Sequence, residues 1–284
     1  MGCVVTIQLD VRDATVGHRV VSRVFLPFTH FGCGIGCTYC YIDHPSAPAE
    51  YLSDHEIGEH VASIPRQSDA IACLASDTDP FVTERSTAIA ETYLRACEAA
   101  GVCVQIATKC VLPTSIRDIL DSWVGNKPIV FTTITSVRLA SRMEPGAPSA
   151  QLRATNFRRQ SDRWRSVALV KPLLSLSDSD RCDLIDLILS VPPDAAVFGS
   201  RFRRRRYGPH SSEHMFLHPC KKGWVGSAPQ PHELAATVRL RDAGVPVFMN
   251  TECVVDYFNH NGAGIHIRET FAELCTSCGV CGGL

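Results

Sequence analysis

Apolar residues along this chain alternate between two rhythms: short unbroken runs, and longer stretches in which they recur three or four positions apart. The first rhythm predicts buried strands and the second amphipathic helices. After residues 1–19, which carry no assignable pattern, "VVSRVFLPF" (20–28) predicts a strand and 54–64 a short helix. "AIACLAS" (70–76) predicts the next strand, closed by the turn-prone "DTDP" (77–80). From 83 to 100, Ile89, Tyr93 and Cys97 fall four apart on one helical face, and Gly101 ends that helix. The alternation then continues with strand 102–109, helix 114–123, strand 128–134, helix 149–162 and strand 166–171. A helix over 178–190 starts behind "SDSD" (177–180), followed by strand 195–199, helix 231–243 and a last strand over 245–250.

Strands that alternate with helices imply an α/β fold with a parallel sheet. About seven βα units, with chemistry gathered at strand ends, suit a (β/α) barrel or partial barrel. The expected organisation is an N-terminal extension (1–19), a partial barrel (20–250) and a short C-terminal segment (251–284). There is no internal repeat and no long low-complexity linker.

The net charge of −1 argues against a surface built to bind nucleic acid or membrane. No apolar run is long enough to span a bilayer, and the start lacks a secretory pattern, so a cytoplasmic location is expected. "MGCVVT" (1–6) fits a myristoylation pattern, but so short a match arises by chance and no lipid anchor is expected. The 14 cysteines change the picture. In a chain of long helices and strands without an export signal, clustered cysteines serve metal binding or chemistry more often than disulfides.

The sharpest cluster is "FGCGIGCTYCYID" (31–43), which spaces Cys33, Cys37 and Cys40 as C-x3-C-x2-C. One loop with that spacing can place three thiolates on three corners of an iron–sulfur cube, and Gly34 and Gly36 permit the close wrap. The fourth iron then stays open to a small molecule. A zinc site would want a fourth ligand nearby; His44 is the candidate, in the turn-like "DHPSAP". The motif, with aromatic Tyr39 before its last cysteine, resembles the radical S-adenosylmethionine superfamily. The resemblance implies a 4Fe–4S cluster whose open iron chelates S-adenosylmethionine, and reductive cleavage to a 5′-deoxyadenosyl radical. It implies further that Tyr39 packs on the cluster, that the backbone near Tyr41 meets adenine, and that a flavodoxin- or ferredoxin-type protein donates electrons.

"SDTDPFVTER" (76–85), "ATKCVLPTSIRDIL" (107–120) and "EPGAP" (144–148) are similar to the spore photoproduct lyase-like branch of that superfamily. By that likeness Ser76 and Asp77 hold the methionine amino group. Thr108 and Lys109 end the next strand at the same face, Thr133 and Thr135 reach the ribose, and Lys171 meets the carboxylate. In the lyase itself a cysteine just before the Ser-Asp stretch donates a hydrogen atom to thymine. Cys73 lies two positions too early to match it, which counts against DNA repair here.

A second cluster, Cys275, Cys278 and Cys281, has the C-x2-C-x2-C spacing of a ferredoxin-type loop. Its fourth ligand could be Cys253 or Cys220, or there is none; zinc is the rival occupant. A second iron–sulfur cluster could relay electrons, anchor substrate or give up sulfide for sulfur insertion. "RFRRRRYGPH" (201–210) contributes Arg203, Arg204 and Arg205, whose planar forks suit phosphate, just after a strand. His210, His214 and His218 read as part of a substrate loop, and Cys97, Cys103, Cys110 and Cys182 as small core residues. The expected function is a radical S-adenosylmethionine enzyme of lyase or transferase type. It would act on a small nucleoside- or nucleotide-like substrate in a biosynthetic pathway, with sulfur insertion as one outcome. Nucleic-acid lesion repair, and a non-catalytic iron–sulfur or zinc protein, are the alternatives.

Overall fold

The computed structural model describes residues 10–16, 19–26, 28, 33–39, 52–64, 70–75, 78–171, 173, 177–198, 202–204, 215–216, 224–226, 231–248 and 251–259. The chain opens with strands β1 (Asp10–Val16) and β2 (Arg19–Phe25), helix α1 (Asp54–Ala62), β3 (Ala70–Leu74), α2 (Glu84–Ala99), β4 (Cys103–Thr108), α3 (Thr114–Ser122) and β5 (Ile129–Thr133). It continues through α4 (Ala140–Met143), α5 (Ala150–Ala154), a 3-10 turn (Thr155–Phe157), β6 (Arg165–Val170), α6 (Asp178–Ser190) and β7 (Ala195–Phe198). Three short strands follow, β8 (Phe202–Arg204), β9 (Met215–Phe216) and β10 (Trp224–Gly226), then α7 (Pro231–Asp242), β11 (Val247–Phe248) and α8 (Thr251–Asn259).

Local chemistry sets the helix boundaries. Ser53 and Glu56 close a reciprocal capping box on α1, and Thr83 with Ser86 does the same on α2. Gly101 then turns the chain out of α2 at φ +70°, a conformation costly for any residue with a Cβ.

The main sheet runs β1-β2-β3-β4-β5-β6-β7-β11, all neighbours parallel except the antiparallel β1–β2 pair. Side chains alternate between its two faces. Ala72, Leu74, Val104, Ile106 and Val130 pack outward with Ile57, Tyr93 and Ile116 of the first three helices, and Ala168, Val170 and Phe198 do so with Ile185 and Leu240. Ile71, Phe131, Val167, Val197 and Phe248 point the other way, against Cys253, Val254 and Val255 of α8. Laid flat, eight strands would span about 34 Å and a helix is about 10 Å across. Yet α8 packs on β1 and β2 at one edge and on β7 and β11 at the other. The sheet therefore curls around α8 as a partial barrel, the α/β class expected.

Several boundaries differ from expectation. The first strand ends at Phe25 and is paired by β1, which lies inside the supposed extension. The expected 149–162 helix stops at Ala154. Asn156 turns inward there, accepting from Leu112 N at 2.9 Å and donating to Cys110 O at 2.9 Å, bonds unavailable to a helix facing solvent. Cys182 is exposed on α6 rather than in the core, because the buried stripe of that helix runs through Leu184, Ile185 and Ile188. The last strand is trimmed to β11, and residues 251–259 form α8 on the sheet. A smaller antiparallel sheet, β10-β8-β9, carries Arg203 and Arg204 on its middle strand; Arg205 lies outside the described residues. Among the described residues no helix is long and apolar enough to cross a membrane.

Candidate functional site

The parallel strands end on one side of the sheet, and the cysteine loop lies there, beside the ends of β4 and β5. Ile35 is its anchor, 1% exposed in the core beneath. Gly36 takes φ +63°, which lets the loop reverse between Cys33 and Cys37. The end of α4 and the segment after it dock on it backbone to backbone: Gly146 N donates to Ile35 O at 2.8 Å, and Thr38 N donates to Met143 O at 2.9 Å. A Cβ on Gly146 would lie 2.8 Å from Ile35 Cα and closer still to Gly34 O.

Cys33 and Cys37 are half-buried neighbours on this loop. Burial pushes the Cys33 thiol up, while backbone amides of Ile35 and Asp79 donate to its sulfur and oppose that push. Burial likewise pushes Cys37 up, to about 11, against the positive charge of Lys109. Backbone amides, a nearby ammonium and paired thiols are surroundings that suit a sulfur-ligated cluster, whose ligands must be thiolates. Cys40 and Tyr41 lie outside the described residues, as do Ser76 and Asp77.

Asp79, which the sequence marked only as a member of the turn-like "DTDP" and of "SDTDPFVTER", organises the end of β4. It is 4% exposed and accepts from Thr108 Oγ1 at 2.8 Å, Lys109 N at 2.5 Å and Phe81 N at 3.2 Å. The Thr108 hydroxyl is thus engaged inside the protein, and it also accepts from Cys110 N at 2.9 Å. Lys109 instead reaches the loop, with Nζ 5.8 Å from the centre of the Tyr39 ring.

Tyr39 donates its phenol proton to Glu144 Oε1. Burial first, then the charge of Glu144, pushes its ionisation up, so the phenol is neutral. Glu144 is paired with Arg153 at 2.7 Å, and Arg153 Nη1 donates to Thr133 O at 2.8 Å. Thr133 and Thr135 are buried at the end of β5. Lys171, beyond β6, is buried near Glu252 of α8, to which Arg23 donates from Nη1. Arg23 also donates from Nε to Cys73 Sγ at 3.3 Å on the inner face.

The structure therefore brings together Cys33, Cys37, Tyr39, Lys109, Thr133 and Thr135. Cys253 sits apart, buried in α8 among Ile71, Phe131 and Val254. Its suggested companions Cys275, Cys278 and Cys281 lie outside the described residues. Asp79, Glu144, Arg153 and Gly146 had no assigned role in the sequence. Asp79 carried a signal only as part of the quoted "SDTDPFVTER", Glu144 and Gly146 only as part of "EPGAP", and Arg153 carried none.

No protein-family model matches the chain, and no curated protein matches it. Among solved structures it is similar to Streptococcus suis SuiB bound to S-adenosylmethionine, at 12% identity and TM-score 0.50 over 86% of this chain and 51% of SuiB. A second crystal structure of SuiB aligns at 12% identity and TM-score 0.50 over 80% of this chain and 48% of that one. A third, of SuiB bound to precursor peptide SuiA, aligns at 15% identity and TM-score 0.46 over 62% and 38%. The chain spans about half the length of SuiB in the two broader alignments. At 12% identity the likeness is one of fold, and it agrees with the partial α/β barrel described above.

Proposed function

We propose that this chain is a radical S-adenosylmethionine enzyme in which Cys33, Cys37 and Cys40 hold a 4Fe–4S cluster with one iron open to S-adenosylmethionine. The observation that carries this reading is the setting of Cys33. On a loop docked at the strand ends by the bond from Gly146 N to Ile35 O, it lies half-buried beside Cys37, as two ligands of one cluster must. Lys109 adds positive charge beside Cys33 and Cys37, offsetting the negative charge that three thiolates bring. When bound, the cluster supplies the electron that cleaves S-adenosylmethionine to methionine and a 5′-deoxyadenosyl radical, which takes a hydrogen atom from the substrate. A neighbour in fold crystallised with S-adenosylmethionine, which supports the same ligand here.

In this reading Ser76, Asp77, Lys171 and the backbone near Tyr41 contact S-adenosylmethionine, and Thr133 and Thr135 shape its ribose end. Thr108, with its hydroxyl committed to Asp79, holds the strand end that carries Lys109. The substrate is a small nucleoside- or nucleotide-like molecule whose phosphate meets Arg203 to Arg205. Cys275, Cys278 and Cys281, with Cys253, form an auxiliary cluster that can release sulfide, and a flavodoxin or ferredoxin supplies electrons.

Anaerobic reconstitution tests the reading. Expected are about eight irons per chain, four from each cluster, and 5′-deoxyadenosine after addition of S-adenosylmethionine and dithionite. The Cys33→Ala, Cys37→Ala and Cys40→Ala triple variant should lose the product. Iron without 5′-deoxyadenosine, with and without nucleotides present, would favour a non-catalytic iron–sulfur protein. Product formed only with lesion-bearing DNA would favour repair.

A further inference from the structure

The inner face of the main sheet is apolar at Ile71, Phe131, Val167 and Val197, yet β4 sets a glutamine on it. Gln105 is paired in register with Cys73 of β3, so the two side chains share that face. Gln105 is 5% exposed, and its Oε1 has no hydrogen-bond partner among the described residues. A buried amide oxygen left unpaired forfeits its hydration, so an apolar side chain of the same size would serve the fold better. The guanidinium beside Cys73 is turned elsewhere: Arg23 donates from Nε to Cys73 Sγ at 3.3 Å and from Nη1 to Glu252. The same face opens toward the cysteine loop. Two residues on, Ala107 is partly exposed, as is Leu169 of β6. Beyond Ala107 comes Lys109, whose Nζ reaches the Tyr39 ring. At about 3.3 Å per residue, Gln105 lies roughly 13 Å below Lys109. Helix α8 packs on β1, β2, β7 and β11, and β4 lies midway between those edges.

Resting on the proposed function above, we infer that Gln105 is a specificity-determining residue: its Oε1 accepts an N–H from the edge of the substrate's base, which enters past Ala107 from the side of the cysteine loop. The chemical class follows from the atom. An amide oxygen only accepts, so it selects a group with a hydrogen to give, here the amino or imide N–H of a nucleobase. Ala107 suits the entrance, because its methyl group leaves open the face that a larger side chain would cover. A site built on a buried acceptor rejects an analogue without the donor far more strongly than an apolar pocket rejects a lost methylene. The reason is that the acceptor then stays buried and unpaired, the state of Gln105 in the chain alone. The residue thus weakens the fold and serves recognition.

The test compares wild type with Gln105→Met, which keeps the length of the side chain and removes its polar amide, and with Gln105→Leu as a second apolar fit. In urea unfolding of the full chain without nucleoside, the better-fitting variant should have a higher midpoint than wild type. A lower midpoint in both would show that the amide serves the fold, and would overturn the inference. Equilibrium dialysis of the reconstituted protein with S-adenosylmethionine then uses the four common nucleosides as probes. Purine riboside and pyrimidin-2-one riboside, whose bases carry no N–H, are their donor-free counterparts. At least one common nucleoside should bind wild type roughly tenfold or more tightly than its counterpart, and that preference should vanish in the apolar variants. No preference in wild type, or one that survives in the variants, would overturn the inference. A wild type that binds no iron would sink the proposed function itself, a result distinct from the urea comparison, which reads Gln105 without cluster or nucleoside.

Discussion

Gly146 has no room for a methyl group. A Cβ there would lie 2.8 Å from Ile35 Cα and closer to Gly34 O, and both obstacles are backbone. Gly146→Ala should therefore lift the docking segment from the cysteine loop and break the bond from Gly146 N to Ile35 O. The expected outcome is a severalfold loss of iron bound on reconstitution, with the metal-free protein destabilised by about 1–3 kcal/mol in urea unfolding. Iron bound as in wild type would show that the loop holds its shape without this contact. Asp79 makes a second case. Asp79→Asn leaves one oxygen for three donors and turns an N–H toward the Thr108 hydroxyl or the Lys109 amide. A loss of about 1–3 kcal/mol is expected, read from the same unfolding curves. Neither role could be read from the sequence, where the cysteine spacing is plain because its members are adjacent. The Thr108 and Lys109 partners of Asp79 lie 29 and 30 residues away, and nothing local marks the pairing.

Elements were more legible where packing repeats a local rhythm. The α2 stripe of Ile89, Tyr93 and Cys97 is buried as its spacing implies, since a helix facing a sheet needs nothing else. β1 escaped notice because "DVRDATV" mixes charge with short apolar residues, as an edge strand can. α8 escaped because its role depends on a partner at the far end of the chain. Glu252 at its start is paired with Arg23 of β2. Burial alone would raise the Glu252 carboxyl, but the charges of Arg23 and Lys171, with hydrogen bonds, hold it below the usual range. A depressed carboxyl stabilises the fold fully above its unfolded value of about 4.3, and that contribution is lost as pH falls through the lower folded value. Urea midpoints for wild type should accordingly drop below about pH 4.3, whereas Glu252→Gln should show a flatter profile there. At neutral pH that variant should lose about 3–5 kcal/mol, because Arg23 is left buried without its partner. An equal acid slope in both proteins would remove Glu252 from the pH response.

At the scale of the whole molecule, the strand order was legible because the main sheet follows chain order. The curl into a partial barrel was expected as well, but the helix that fills it was not. A curled sheet leaves an apolar inner face that no local pattern covers, and α8 covers it by touching both edges. Val254 and Val255 are 0% exposed there, and burying each stabilises by about 1.5 kcal/mol or more. A chain cut after residue 250 should expose Ile71, Phe131, Val167 and Val197, bind a hydrophobic dye and unfold without a sharp transition. A chain cut after residue 259 keeps α8 and should unfold like the full protein. It loses Cys275, Cys278 and Cys281, so on reconstitution its iron should fall from about eight to about four per chain. The two cuts separate the two roles of the C-terminal segment. If the longer chain also melts without cooperativity, residues 260–284 belong to the fold; if it keeps all its iron, the tail cysteines hold none. The loop at Cys33, Cys37 and Cys40, carried by β2 to β5 rather than by the tail, should retain its own four in the longer chain, about one 4Fe–4S cluster.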